Sequence, residues 1–235
     1  MNKSFVILAC ALLLSSCHAV VRTSHRNGVR VEVSNRPMTV QPFERVEVAG
    51  SFNVSYEQAD SSTVRVAAAQ DVMDDLDIRI DGSTLCIGYR DNLSDFHFGR
   101  DYDKVDVFIT SPDLISVHTA GDVDFKVPGH LDTDDLQLSL AGIGKMDFNN
   151  LICDKVVTEI AGSGGVFVKN LTTADARFDI AGSGDIDVHF EKGGSVNVQI
   201  AGSGNVRLSG QVKQYKQSIA GSGNIDRKEL FVVDK

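Results

Sequence analysis

The 235-residue chain has no tryptophan, four prolines, four tyrosines and four cysteines, and aromatic side chains make up only 7% of it. With no Cys-x-x-Cys pair and no Cys/His cluster, it offers no ligand set for structural zinc. Basic side chains are also short, 23 Lys and Arg against 32 Asp and Glu, for a net charge of -9. That balance argues against nucleic acid as a partner and against electrostatic attachment to anionic lipid. The six histidines are scattered and no Gly-x-Ser-x-Gly elbow occurs, so no catalytic triad assembles from the sequence.

What the chain does have is one recurring phrase. It reads Leu140-Ala141-Gly142-Ile143-Gly144, then Ile160-Ala161-Gly162-Ser163-Gly164, Ile180-Ala181-Gly182-Ser183-Gly184, Ile200-Ala201-Gly202-Ser203-Gly204 and Ile219-Ala220-Gly221-Ser222-Gly223. The alanines are spaced 20, 20, 20 and 19 residues apart, a short fixed period that marks a solenoid. On both sides of the phrase the residues alternate, as in Val196-Asn197-Val198-Gln199-Ile200 and Asp185-Ile186-Asp187-Val188. Alternation predicts strands with one buried face. Each unit is therefore expected to hold two short strands and two turns.

Aligned units give columns. Val123, Met146, Val166, Ile186, Val206 and Ile225 form one expected core file, Phe125, Phe148, Val168, Val188 and Leu208 a second, and Leu140, Ile160, Ile180, Ile200 and Ile219 a third. Asp147, Phe167, Asp187, Arg207 and Asp226 make an outward file, as do Ser139, Glu159, Asp179, Gln199 and Ser218. Neighbours in a file would lie about 4.8 Å apart. The glycines at 142, 162, 164, 182, 184, 202, 204, 221 and 223 are structural corners, chosen for positive φ or close backbone approach. The expected fold is all-β: a parallel β-solenoid, right-handed by the general crossover preference, with about 20 residues per coil.

The chain opens Met1-Asn2-Lys3, runs apolar from Phe5 to Leu14 and reaches Leu14-Ser15-Ser16-Cys17. A basic start, a short apolar segment and small residues at the exit describe a secretory signal rather than a spanning helix. Leu-Ser-Ser-Cys resembles the bacterial lipobox, which implies cleavage before Cys17 and lipid on its thiol; the competing reading is an ordinary signal with an incidental cysteine. His18 follows rather than Asp, which favours an outer-membrane lipoprotein, facing either the periplasm or the outside. Residues 1–16 are then the signal, 17–40 a lipidated tether, 41–115 an N-terminal β module and 116–235 the regular coils.

In that module, Val46 to Val54 reads as a degenerate copy of the repeat, Asp71 to Leu76 as a short helix, and Asp81-Gly82 as a hairpin turn between alternating runs. Residues 92–103 interrupt the strands as a loop. Its Phe96, His97, Phe98, Arg100 and Tyr102, set among acids, are either a partner-binding patch or a lid folded onto the tube. Cys86 and Cys153 are expected as buried strand residues, with a disulfide as the alternative. Arg227, Lys228 and Glu229 replace the apolar file and suggest a cap that blunts the last edge.

Lipobox, Phe43 to Gly50, the Asp81 to Leu85 hairpin and the Ala-Gly-Ser-Gly repeats together resemble the family described as putative auto-transporter adhesin, head GIN domain, common in Bacteroidetes. The resemblance spans Phe43 to Ile225. It implies a β-solenoid of envelope or secreted proteins with no established enzymatic activity.

Chemical alternatives fit less well. A phosphate loop needs a helix after the glycines. The calcium-binding β-roll needs Asp where this chain has Met146, Val166, Ile186, Val206 and Ile225. Acid pairs such as Asp185/Asp187 and Glu159/Asp179 could flank a sugar, but the outward files mix Asp with Asn, Gln, Ser and Arg as a solvated face does. The expectation is therefore a non-catalytic envelope lipoprotein for adhesion or scaffolding, without metal or cofactor, binding protein or, alternatively, a glycan or cell-wall polymer. Parallel coils with open ends could also stack between subunits.

Overall fold

The computed structural model describes residues 29–31, 34–90 and 104–233. The leader, Cys17 and the residues Phe96, His97, Phe98, Arg100 and Tyr102 lie outside these. Strands account for nearly everything described, with one helix, α1 (Gln70–Asp75).

A parallel stack carries the fold: β3 (Arg45–Gln58), β8 (Ser116–Gly142), β9 (Lys145–Gly162), β10 (Gly165–Gly182), β11 (Asp185–Gly202), β12 (Asn205–Gly221) and β13 (Asn224–Val232) follow one another as hydrogen-bonded neighbours. Register repeats with the sequence period: Ile160 pairs Ile180 and Ile180 pairs Ile200, while Ile200 pairs Ile219 across the one shorter coil. Against this stack lie an antiparallel hairpin, β5 (Leu76–Asp81) with β6 (Thr84–Tyr89), and the strands β4 (Thr63–Ala67) and β7 (Val105–Ser111). Gly82 turns the hairpin with φ +59°, as the Asp-Gly signal requires. Two short strands from the stretch expected as a tether close this end: β1 (Val29–Arg30) pairs β5, and β2 (Met38–Thr39) pairs β4.

The coils differ from two strands joined by two turns. Each of β9, β10 and β11 is a single paired run of 18 residues, and only two residues, such as Ser163-Gly164, interrupt the strands. The second corner, near Leu171-Thr172, bends with a register shift yet keeps its pairing to the coils on both sides. Its backbone groups are satisfied between coils and need no turn of their own.

The inward files are core up to the last coil, where Ile219, expected as core, is 39% exposed with no described strand beyond it, and Ile225 is only partly buried. Val166, Ile186 and Val206 are at most 1% exposed, and Phe125, Phe148, Phe178 and Phe190 are as deeply enclosed. Two columns need correcting. Met146 stacks on Phe125, and Phe148 on Val127, not on Val123 and Phe125. The early coils lack the Ser-Gly interruption, so Asp122-Val123 occupies those two places: Gly50 pairs Gly121 and Phe52 pairs Val123 without a break, and Gly144 lies against the Val123 backbone.

The corner glycines divide into two kinds. Gly182 has φ +127°, and a Cβ there would sit 2.5 Å from the Gly162 carbonyl oxygen of the coil below. Gly142, Gly162, Gly202 and Gly221 share that positive φ. Gly184 shows no such φ; its Cβ would instead meet Ile160 Cγ2 at 2.6 Å and Gly164 O at 2.8 Å. The first glycine permits the bend, and the second leaves room for an isoleucine from the preceding coil.

Cys86 and Cys153 are both buried. Cys153 Sγ lies 3.6 Å from Thr173 Oγ1, and burial pushes its thiol up to about 11, which keeps it protonated and inert at neutral pH.

Candidate functional site

Strand alternation sends every second residue after the corner outward, and the coil stack then sets these residues in rows. Phe167 has Asp147 on one side and Asp187 on the other; Arg207 and Asp226 continue the row. The parallel row is Lys145, Gly165, Asp185, Asn205 and Asn224. Gly165 is buried although it belongs to an outward row. A Cβ at this position would lie 2.7 Å from Phe167 Cε2 and 2.8 Å from Cζ, so the end of the phenyl ring occupies the space above the glycine.

Beyond this platform the polar side chains couple coil to coil. Arg207 Nη1 donates to Asp187 Oδ2 at 3.3 Å, and Asn205 Nδ2 donates to Asp185 Oδ1 at 3.1 Å. The adjacency of Asp187 and Arg207 follows directly from the repeat. Together with Asn224 and Asp226 these residues and Phe167 line an open groove of about 830 Å³. A second pocket, about 440 Å³, lies between β1 and β2.

On the row before the corner, Glu159 and Asp179 are neighbours. Burial first, and for Glu159 the nearby Asp179 carboxylate second, push both carboxyls above their ordinary values. Arg177 Nε binds Asp179 Oδ2 at 2.7 Å. His118 and His189 stand on separate coils: burial and Arg45 lower the His118 pKa, while His189 Nδ1 is 2.9 Å from Ser209 Oγ. Among the described residues no three His, Cys, Asp or Glu side chains converge as a metal site would need.

Phe167 was legible only as an odd member of a polar file. The missed signal is the doublet Gly164-Gly165, where the other coils follow the second corner glycine with Lys145, Asp185, Asn205 or Asn224. A second glycine there removes the side chain that would lift the ring.

The model of the family described as putative auto-transporter adhesin, head GIN domain, matches residues 42–169 and 158–234. The chain belongs to this family. Three solved structures share the fold. A putative adhesin from Bacteroides fragilis is 20% identical, with TM-score 0.64 over 86% of this chain and 97% of its own. A putative lipid binding protein from Parabacteroides distasonis is 21% identical, with TM-score 0.56 over 86% of this chain and 96% of its own. A putative adhesin from the same species is 22% identical, with TM-score 0.56 over 83% and 99%. No curated protein matches the chain.

Proposed function

We propose that this head GIN domain chain is a non-catalytic, adhesion-type protein of the cell envelope, moored by lipid on Cys17, that grips an extended partner along its outward face. The family, and the fold shared with structures described as putative adhesins, support an adhesion-type role. The observation that carries the proposal is the Phe167 face: an aromatic platform followed by polar side chains from the next three coils, in register and open to solvent. A long shallow row suits a polymer better than a small molecule, which favours an enclosing pocket.

A glycan is the ligand class this face favours. The flat ring offers stacking to a sugar, and the amides, carboxylates and guanidinium offer both donors and acceptors. Attachment within this proposal is by the lipid on Cys17; no helix among the described residues is long and apolar enough to cross a membrane. The test is protease accessibility of the protein on intact cells, followed by glycan-array binding of the purified full chain. Phe167→Ala should reduce binding about tenfold, the value of one stacking contact, without changing thermal stability. Protection from external protease on intact cells would rule out surface adhesion, and equal binding by Phe167→Ala would rule out this face.

A further inference from the structure

The two ends of the coil stack are finished differently. At the N-terminal end β1 and β2 pair with the outermost strands β5 and β4. At the C-terminal end β13 covers only half of β12: pairing runs from Asn205 to Val212, and Val233 N–H closes it on Val212 O. From Lys213 to Gly221, β12 has β11 on one side and no described strand on the other. This half-coil continues the core files, Tyr215 on Val196, Gln217 on Val198 and Ile219 on Ile200. Where Ile200 is 2% exposed, Ile219 is 39% exposed. An uncovered edge with core positions open is a template for a further strand.

The charge of this end selects the occupant. Residues 205–233 carry five basic and two acidic side chains, a net of +3, in a chain whose net charge is -9. Of the two long segments outside the described residues, 1–28 holds Lys3, Arg22 and Arg26 and no acid, whereas 91–103 holds Asp91, Asp95, Asp101 and Asp103 against Arg100. The second segment also alternates, Asp95-Phe96-His97-Phe98, as a strand with one apolar face would.

We propose that residues 91–103 of a second copy add as a strand to the Lys213–Gly221 edge. In parallel register, with Asp95 beside Lys216, Phe98 then lies over Ile219, aromatic on β-branched, and Phe96 over Gln217, diagonal to Tyr215. The copy must be a different one. From β6, where the segment leaves, to β12 is six strand steps, about 29 Å each way at ~4.8 Å per step. Thirteen residues extend to at most about 47 Å, too short to go and return. One donor segment and one acceptor edge per chain make the contact heterologous, so it propagates head to tail. It is independent of the Phe167 face.

The test uses the full chain in detergent and a fluorescein-labelled peptide of residues 91–103. The peptide should bind saturably, a scrambled peptide of the same composition should not, and Lys213→Glu with Lys216→Glu should weaken binding about tenfold, as reversal of two cross-strand charges implies. In sedimentation velocity the wild-type chain should form species larger than a monomer as concentration rises. Association should be lost in that edge variant and in a segment variant, Asp95→Lys with Asp101→Lys, and regained when the two are mixed. A chain that stays monomeric and ignores the peptide overturns the proposal. Equal binding of the scrambled peptide reduces it to bulk charge, and association that survives reversal of the segment assigns the edge to some other strand. Should a variant fail to fold, the peptide and its scrambled control on the wild-type chain decide.

Discussion

At one corner of the tube the first coils and the later coils solve the same packing problem in opposite ways. Phe52 and Val123, both at most 1% exposed, fill the corner from within their own coils. One level on, that file becomes Gly144, Gly164, Gly184, Gly204 and Gly223, and side chains from preceding coils fill the space: Ile160 reaches Gly184, and Ile180 reaches Gly204. A coil that fills its own corner depends little on its neighbours there. A coil with a glycine corner depends on the previous coil, which is why the regular part is the part that repeats.

The largest test of this contrast is Phe52→Ala. Phe52 is fully buried and stacks on Tyr89 with ring centroids 5.0 Å apart, so truncation should cost about 3–5 kcal/mol of unfolding free energy in urea melts. A loss under ~1 kcal/mol would mean that the first corner also borrows its filling from a neighbour.

Gly184→Ala comes next. The new methyl would lie 2.6 Å from Ile160 Cγ2 and 2.8 Å from Gly164 O, and overpacking of this kind costs about 1–3 kcal/mol. The Ile160→Ala change removes one of the two obstacles, so the double variant should be more stable than the sum of the singles by about 0.5 kcal/mol or more. Strict additivity would show that Gly184 is required by the backbone contact alone.

The same contrast separates what the sequence displays from what it hides. The later coils announce themselves because a 20-residue period forces equivalent positions into equivalent environments, and the rows holding Asp187/Arg207 and Glu159/Asp179 follow from counting. The first coils carry no Ser-Gly pair, so aligning Val123 with Met146 by its distance from the turn misplaced it by two residues. The paired run through the second corner was hard to see because hydrogen bonding continues between coils there, and the bend lacks Gly or Pro at Leu171-Thr172 while the aligned Gly210 has φ +91°. The Phe167 platform depends on what a neighbour lacks, the side chain of Gly165, and alternation alone cannot show that. The half-covered end does not show in the repeat: β13 pairs β12 only from Asn205 to Val212, and the charges at Arg227 to Glu229 suggested only a cap that blunts the last edge.

The smallest expected effect concerns the outward row before the corner. The first coils place Glu47 beside His118 there, whereas the later coils place Glu159 beside Asp179, two acids in adjacent coils. Burial and then Asp179 raise the Glu159 carboxyl above its ordinary 4.5. The folded chain therefore binds this proton more tightly than the unfolded chain. Between the unfolded and folded pKa values the native state holds more protons, so stability falls as pH rises through that window and stays lower at neutral pH. Glu159→Gln removes the charge while keeping the shape, and should raise stability at pH 7 by a few tenths of a kcal/mol, since Glu159 is only half-buried and water screens the repulsion. The gain should shrink toward zero as the pH drops below 4.5, where the wild-type carboxyl is itself neutral in both states. Urea melts at pH 4 and pH 7 measure the difference. A Gln variant less stable than wild type at pH 7 would mean that the attraction of Arg177 outweighs burial and Asp179 together, and that stacking acids in the later coils carries no penalty relative to the acid–histidine pairing of the first.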